Sequence, residues 1–315
     1  MNLIKGLTLA ALLATSSASS QYLNGESNNS YYSAEPMINK LSAQDLKMPV
    51  SEFVKKDIKT VPLENIMMNE SELDWTYIGG IIAATGFGAY EVHKAYTHQF
   101  WWPDRSPAHW MVDNNYALGI DKAGHAFAFN TLSTGYYFMF KSAGFDDMTS
   151  RIIGTAFGMA WQGYSEGHEL RGPKGVFGGD PLDVAGGWLG ASKVLLDGLF
   201  PFLDRFTLKM SFYPRQHPKY SGYNSMENDY EHQNTWLSYN IKNGWSVALG
   251  VRMSTWKQGD PDAHVQLMLA PDFDLRVLSN SPIVTMIGKV MPLVPAVIYD
   301  TKQHKFWLGL SYKID

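Results

Sequence analysis

Apolar positions fall into two regimes along the chain. From Trp75 to about residue 204 they gather in runs long enough for helices, and from Arg205 onward they recur at a period of two. The run 75–90 has no charged residue and contains Gly79, Gly80, Gly86 and Gly88, which predicts a first helix open to a close neighbour. A second helix is predicted over 122–140, capped by Asp121 and stopped near Gly144. A third is predicted over 148–169, preceded by Asp146, and a fourth over 181–199, opened by Asp180 and Pro181 and closed before Pro201. Gly154 with Gly158, and Gly186 with Gly190, repeat at a spacing of four, so each pair lies on one helix face and favours tight helix contacts.

Beyond Arg205, strands are predicted over 208–213, 235–241, 245–252, 265–270, 284–290 and 305–313, with Asn243-Gly244 as a hairpin turn. About six strands is fewer than the eight of the smallest transmembrane barrels. The expected fold class is therefore α+β: a compact, glycine-rich, apolar four-helix bundle followed by a C-terminal antiparallel β-sheet or partial barrel.

Upstream, Lys5, the apolar run 7–14 and the small residues Ala18-Ser19-Ser20 read as an export signal over 1–20, with cleavage expected before Gln21. Residues 21–74 read as a polar leader with surface helices, 75–204 as the helical core and 205–315 as the β domain. The chain has 315 residues, 45% of them hydrophobic, so it can bury a large core. Its formal net charge of −4, without a Lys/Arg stripe, argues against nucleic acid as a partner. It has no cysteine, which excludes disulfides and a lipidated cysteine.

Candidate chemistry is concentrated between Asp121 and Gly190. Asp121, Lys122 and His125 open one apolar segment, Glu166 and Glu169 close a second, and Asp180 and Asp183 open a third. Short connections between antiparallel helices bring these ends level, with Arg171 and Lys174 on the intervening loop. Carboxylates at the end of a helix oppose its dipole, so Glu166 and Glu169 call for a cation, a proton or a metal. Each residue also has a plainer reading. Asp121 and Asp180 can cap helices, Asp183 can favour a helix N-terminus, and His125 can be a satisfied core histidine. Trp101, Trp102 and Trp110 read as core or membrane-interface packing rather than a substrate box.

The motifs Asp121-Lys122-x-x-His125, Glu166-x-x-Glu169 and Asp180-x-x-Asp183-Val184, with Pro107-Ala108-His109-Trp110, Asp113 and the later 229–238 segment, resemble the YfiM-like periplasmic proteins. This family of unknown function is distantly similar to VanZ-like membrane proteins, and the resemblance covers roughly residues 85–315. The chain departs from that pattern at Glu169, Asp180 and Gly187. The resemblance implies a periplasmic protein peripheral to the outer membrane, with membrane lipids or lipid-linked envelope precursors as partners; protein partners are not indicated.

Two classes of function stay open. In the first, a transferase or hydrolase acts on phospholipid head groups or lipid-linked precursors. His125, oriented by Asp121 or Glu166, is base or nucleophile, Glu169 or Asp183 handles the second proton, and Lys122, Arg171, Lys174 and Asp180 line the substrate. No residue is assigned as a metal ligand, and no cofactor is required, although a divalent cation on His125 and the carboxylates is the metal-assisted variant. In the second class the same residues form an internal network in a non-catalytic lipid-binding or structural envelope module.

Overall fold

The computed structural model describes residues 73–99, 106–112, 116–172, 178–212, 233–254, 262–279, 281–291 and 294–310. The export signal, the leader up to residue 72, Trp101, Trp102, Asp113, Lys174 and the first part of the 229–238 motif lie outside the described residues. Within them, four long helices precede a six-stranded antiparallel sheet that is not closed into a barrel. No described helix is long and apolar enough to cross a membrane.

The helices are α1 (Trp75–Gln99), α2 (Ile120–Ser142), α3 (Asp147–Glu169) and α4 (Pro181–Leu199). Local chemistry sets most of their ends. Asp146 accepts a hydrogen bond from the Thr149 N–H, and Asp180 accepts one from the Leu182 N–H just before Pro181, so both cap as expected. Asp121 does not cap α2. That helix starts two residues earlier than the sequence suggests, at a left-handed Gly119 (φ 77°), which frees the Asp121 side chain to point inward.

The glycine pairs determine how closely the bundle packs on α2. A Cβ at Gly154 would lie 2.7 Å from the Ser133 carbonyl oxygen, and one at Gly190 would lie 2.0 Å from the Ala126 carbonyl oxygen. Backbone is met directly in both cases, so α3 and α4 approach α2 at distances that a methyl group would forbid. Among the described residues nothing lies near a Cβ built at Gly79, Gly80 or Gly86 of α1, and Gly88 faces the Trp161 ring at ordinary contact distance. No described helix makes the expected tight contact through these glycines. Instead, α1 joins the core through Ile78 and Ile81, which pack with Phe129, Leu132, Tyr136 and Phe140 of α2.

The sheet runs β1 (Phe206–Phe212), β2 (Gln233–Lys242), β3 (Trp245–Met253), β4 (Val265–Phe273), β5 (Pro295–Asp300) and β6 (Lys305–Leu310), paired in sequence order. Asn243 and Gly244 have positive φ (53° and 83°) and make the predicted β2–β3 hairpin turn. One predicted strand is wrong. Residues 284–290 fall mostly in a short helix, α5 (Pro282–Ile287), because Ser281 caps it through the Val284 N–H and Pro282 occupies its first turn. The missed fifth strand begins on Pro295, a position where the lost N–H is tolerated.

One buried lysine braces the inner face of the sheet and a second ties the sheet to the helices. Lys209 of β1 pairs with Asp272 of β4 at 2.6 Å, both fully buried, and donates to the Phe273 carbonyl at 3.0 Å. Lys289, which follows α5 and is paired through its backbone to Met210 of β1, donates to the Asn130 side-chain oxygen on α2. Asn130 in turn donates to the Gly190 carbonyl at 3.0 Å. Desolvation lowers the Lys289 ammonium to a pKa of about 7, so this link joining sheet, α2 and α4 needs no charge to persist.

Packing limits of this kind predict opposite outcomes for two glycines. Gly190→Val should lower the unfolding free energy by about 1–3 kcal/mol or more through overpacking. Gly80→Ala, in open space on α1, should be neutral or stabilising by up to about 1 kcal/mol. Denaturant unfolding of the two variants beside the parent chain measures both.

Candidate active site

Three helix ends meet at one point of the bundle. The first turns of α2 supply Asp121, Lys122 and His125, the last turns of α3 supply Gln162, Glu166 and Glu169, and the start of α4 supplies Asp180 and Asp183. Small residues allow the approach. A Cβ at Gly186 would sit 2.8 Å from the Lys122 carbonyl oxygen, and one at Gly187 would sit 2.4 Å from Gln162 Oε1.

Lys122 is the hub. Its ammonium lies 2.9 Å from Asp121 Oδ2, 2.7 Å from Asp180 Oδ2 and 2.8 Å from Asp183 Oδ1. Burial alone would lower its pKa, but the surrounding carboxylates, Asp183 foremost, outweigh it and raise the value further above the usual lysine range. Lys122 therefore stays charged, and it is committed to the protein's own aspartates rather than presented to a ligand.

One cation cannot balance this many carboxylates. Glu166 is almost fully buried, and burial, followed by the charges of Glu169 and Asp183, pushes its pKa up to about 10. It accepts hydrogen bonds from Gln162 Nε2 at 2.8 Å and from the Asp180 N–H at 3.1 Å. Asp121 is raised to about 6, first by burial and then by Asp183, with Lys122 pulling the other way. Its Oδ1 is buried and has no hydrogen-bond partner among the described residues. The cluster meets its charge imbalance by holding protons.

His125 sits at the more open side, with 12% of its side chain exposed. Its Nδ1 is 3.2 Å from Gln162 Oε1, and its Nε2 is 3.7 Å from Asp183 Oδ1. Because Gln162 donates its amide nitrogen to Glu166, its oxygen is left to accept from Nδ1–H. The chain Glu166–Gln162–His125 thus orients the imidazole and leaves Nε2 on the Asp183 side of the ring. Phe129, one turn on, lies stacked beside the ring with centroids 6.1 Å apart.

Of the residues singled out by sequence, His125, Glu166, Asp183, Asp121, Asp180 and Lys122 come together. Asp121 and Asp180 are buried inside the cluster, so Asp180 does not line an open substrate surface. Glu169 is half-buried at the end of α3, close enough for its charge to act on Glu166. Arg171 is exposed, its charge helps to lower the His168 pKa, and its backbone carbonyl accepts from the Ser106 N–H. Lys174 lies outside the described residues, and Trp110 is exposed. Gln162 was missed, although it stands four residues before Glu166, a spacing that stacks the two on one face.

His125, Glu166 and Asp183 each offer a ligand atom within 4.8 Å of the others, enough to hold a divalent cation. No family model, characterised protein or solved structure matches the chain.

The raised carboxyls make stability pH-dependent in a defined direction. Between the ordinary glutamate value of 4.5 and about 10, the folded chain holds a Glu166 proton that the unfolded chain has released. Its contribution is fully present below 4.5 and is lost as pH rises through about 10. Asp121 adds a smaller fall between 3.8 and about 6. Unfolding free energies measured across this range should decline with pH more steeply for the parent chain than for Glu166→Gln.

Proposed function

We propose that the protein is an envelope enzyme, a transferase or hydrolase acting on phospholipid head groups or lipid-linked envelope precursors, with His125 Nε2 as the base. The observation that carries this reading is the relay from buried, protonated Glu166 through Gln162 to a partly exposed imidazole. A base whose second nitrogen is held by an orienting group is the arrangement that activates a hydroxyl or water for attack on an ester or phosphoester. Asp183, 3.7 Å from Nε2, stabilises the imidazolium formed once the proton has moved. Glu166 and Gln162 are positioning residues in this scheme. The expected location is the periplasmic side of the outer membrane, reached through the export signal, with membrane lipid as the partner.

A second reading is favoured by the way Lys122 is engaged. An ammonium held by three aspartates is a finished ion-pair network, and with a cation on His125, Glu166 and Asp183 the same cluster serves a non-catalytic lipid-binding module. Head-group or phosphate release from phospholipid vesicles, followed with and without added divalent cations, separates the two. Catalysis predicts turnover that falls by about 100-fold or more in His125→Ala, the scale of a lost general base. It also predicts partial retention in Gln162→Glu, which can still accept from Nδ1–H. Lipid or metal binding by the parent chain without turnover supports the module and rejects the enzyme.

A further inference from the structure

The sheet buries one mixed face and exposes another that is apolar. Its buried face packs a core around Trp236, Met268 and Ile298 beside the Lys209–Asp272 and Arg252–Gln266 pairs. Its outward face is apolar. Strand register aligns Leu208, Leu237, Leu249, Leu269, Val297 and Leu308 in one row across all six strands. A flanking row runs through Met210, Val251, Leu267, Tyr299 and Phe306, with buried Thr235 in line where Ile120 covers the end of the face at Met253 and Val265, and the opposite flank runs through Phe206, Tyr239, Val247 and Pro271. No charged residue occurs in any of these rows. Leu249 is 61% exposed and Leu308 76% exposed, values that water-facing strands reserve for polar residues.

We propose that this face rests on a phospholipid bilayer, with the acyl chains of one leaflet as its occupant. The proposal shares the membrane setting of the reading above but does not depend on chemistry at His125.

Two features point to lipid rather than to protein. Aromatic side chains gather at both ends of the apolar rows: Phe206 with Tyr239 and Trp245 with Phe273 at one end, Tyr299 with Phe306 at the other. Rings at both margins of an apolar band are the pattern of a membrane interface. Exposed cations stand just beyond the rings, Arg205 and Lys242 at one end and Lys305 at the other, where they complement anionic head groups.

The open sheet fixes the orientation. Among the described residues its ladder ends at β1, whose outer edge is bridged only at Met210, and at β6, and unpaired strand edges are not tolerated inside hydrocarbon. Lying flat, the sheet keeps those edges at head-group level, where water satisfies them. Exposed Val290, bridged to Met210, extends the apolar surface past the β1 edge.

The chain has no native cysteine, so Leu269→Cys carries an environment-sensitive fluorophore at a single site, with Ser142→Cys on the helical bundle as the control. Added vesicles of mixed neutral and anionic phospholipid should shift the Leu269→Cys label to the blue and expose it to quenchers on the acyl chains, leaving the control unchanged. Leu249→Glu combined with Leu269→Glu should cut vesicle flotation about tenfold or more, against an energy scale of 1.4 kcal/mol per decade. Circular dichroism matching the parent chain establishes that this variant folds, and unlabelled Lys242→Glu, a milder change at the margin, should weaken binding to anionic vesicles selectively. A label already blue before vesicles are added means that protein covers the face and overturns the proposal. So does a parent chain that fails to float, or a dimer that the double variant dissociates. His125→Ala should float like the parent, so loss of turnover with flotation intact rejects only the catalytic reading.

Discussion

The Lys122 ammonium, held between Asp121, Asp180 and Asp183, is the interaction on which the arrangement of the helix ends depends. It fastens the first turn of α2 to the first turn of α4. Removing one partner of such a buried pair typically costs about 3–5 kcal/mol, because the charge left behind has no water to turn to. The glycines make the contact possible: at Gly186 and Gly190 the α4 backbone lies directly against α2 carbonyls. Once those ends are locked, α3 has to deliver Glu166 into a space that already holds more negative charge than one lysine neutralises. Protonation of Glu166 follows from that constraint, and the orientation of Gln162 and His125 follows from Glu166.

The same economy of charge governs the join to the sheet. Lys209 and Asp272 neutralise each other on its buried face, whereas Lys289 is relieved by desolvation and by an amide acceptor on α2. The inner face of the sheet combines the Lys209–Asp272 pair with the apolar core around Trp236, Met268 and Ile298, which leaves the outer row of leucines as its exposed surface.

Much of the fold was legible because its signals are local. Asp146 and Asp180 are followed by residues that let them cap, Asn243-Gly244 has the positive φ that the hairpin needs, and the change from helical to alternating period marks where the sheet begins. The errors arose where local signals competed. Val284 and its β-branched neighbours suggest a strand, but Ser281 and Pro282 nucleate a helix first. Asp121 has the side chain of a cap, yet Gly119 starts the helix earlier and Lys122 claims the carboxylate. In the site, residue types were legible and roles were not. Lys122 becomes an internal counter-charge, Arg171 turns to solvent, and Gln162 matters only because its two neighbours, His125 and Glu166, come from different helices.

The central claim is that Glu166 keeps its proton under conditions in which an ordinary glutamate would be ionised. Infrared difference spectroscopy between the parent chain and Glu166→Gln tests it directly, at a pH above the Asp121 value of about 6 and below the Glu166 value of about 10. The account predicts a protonated-carboxyl C=O band in the parent chain that is missing from the variant. A parent spectrum showing only ionised carboxylates at that pH would contradict it.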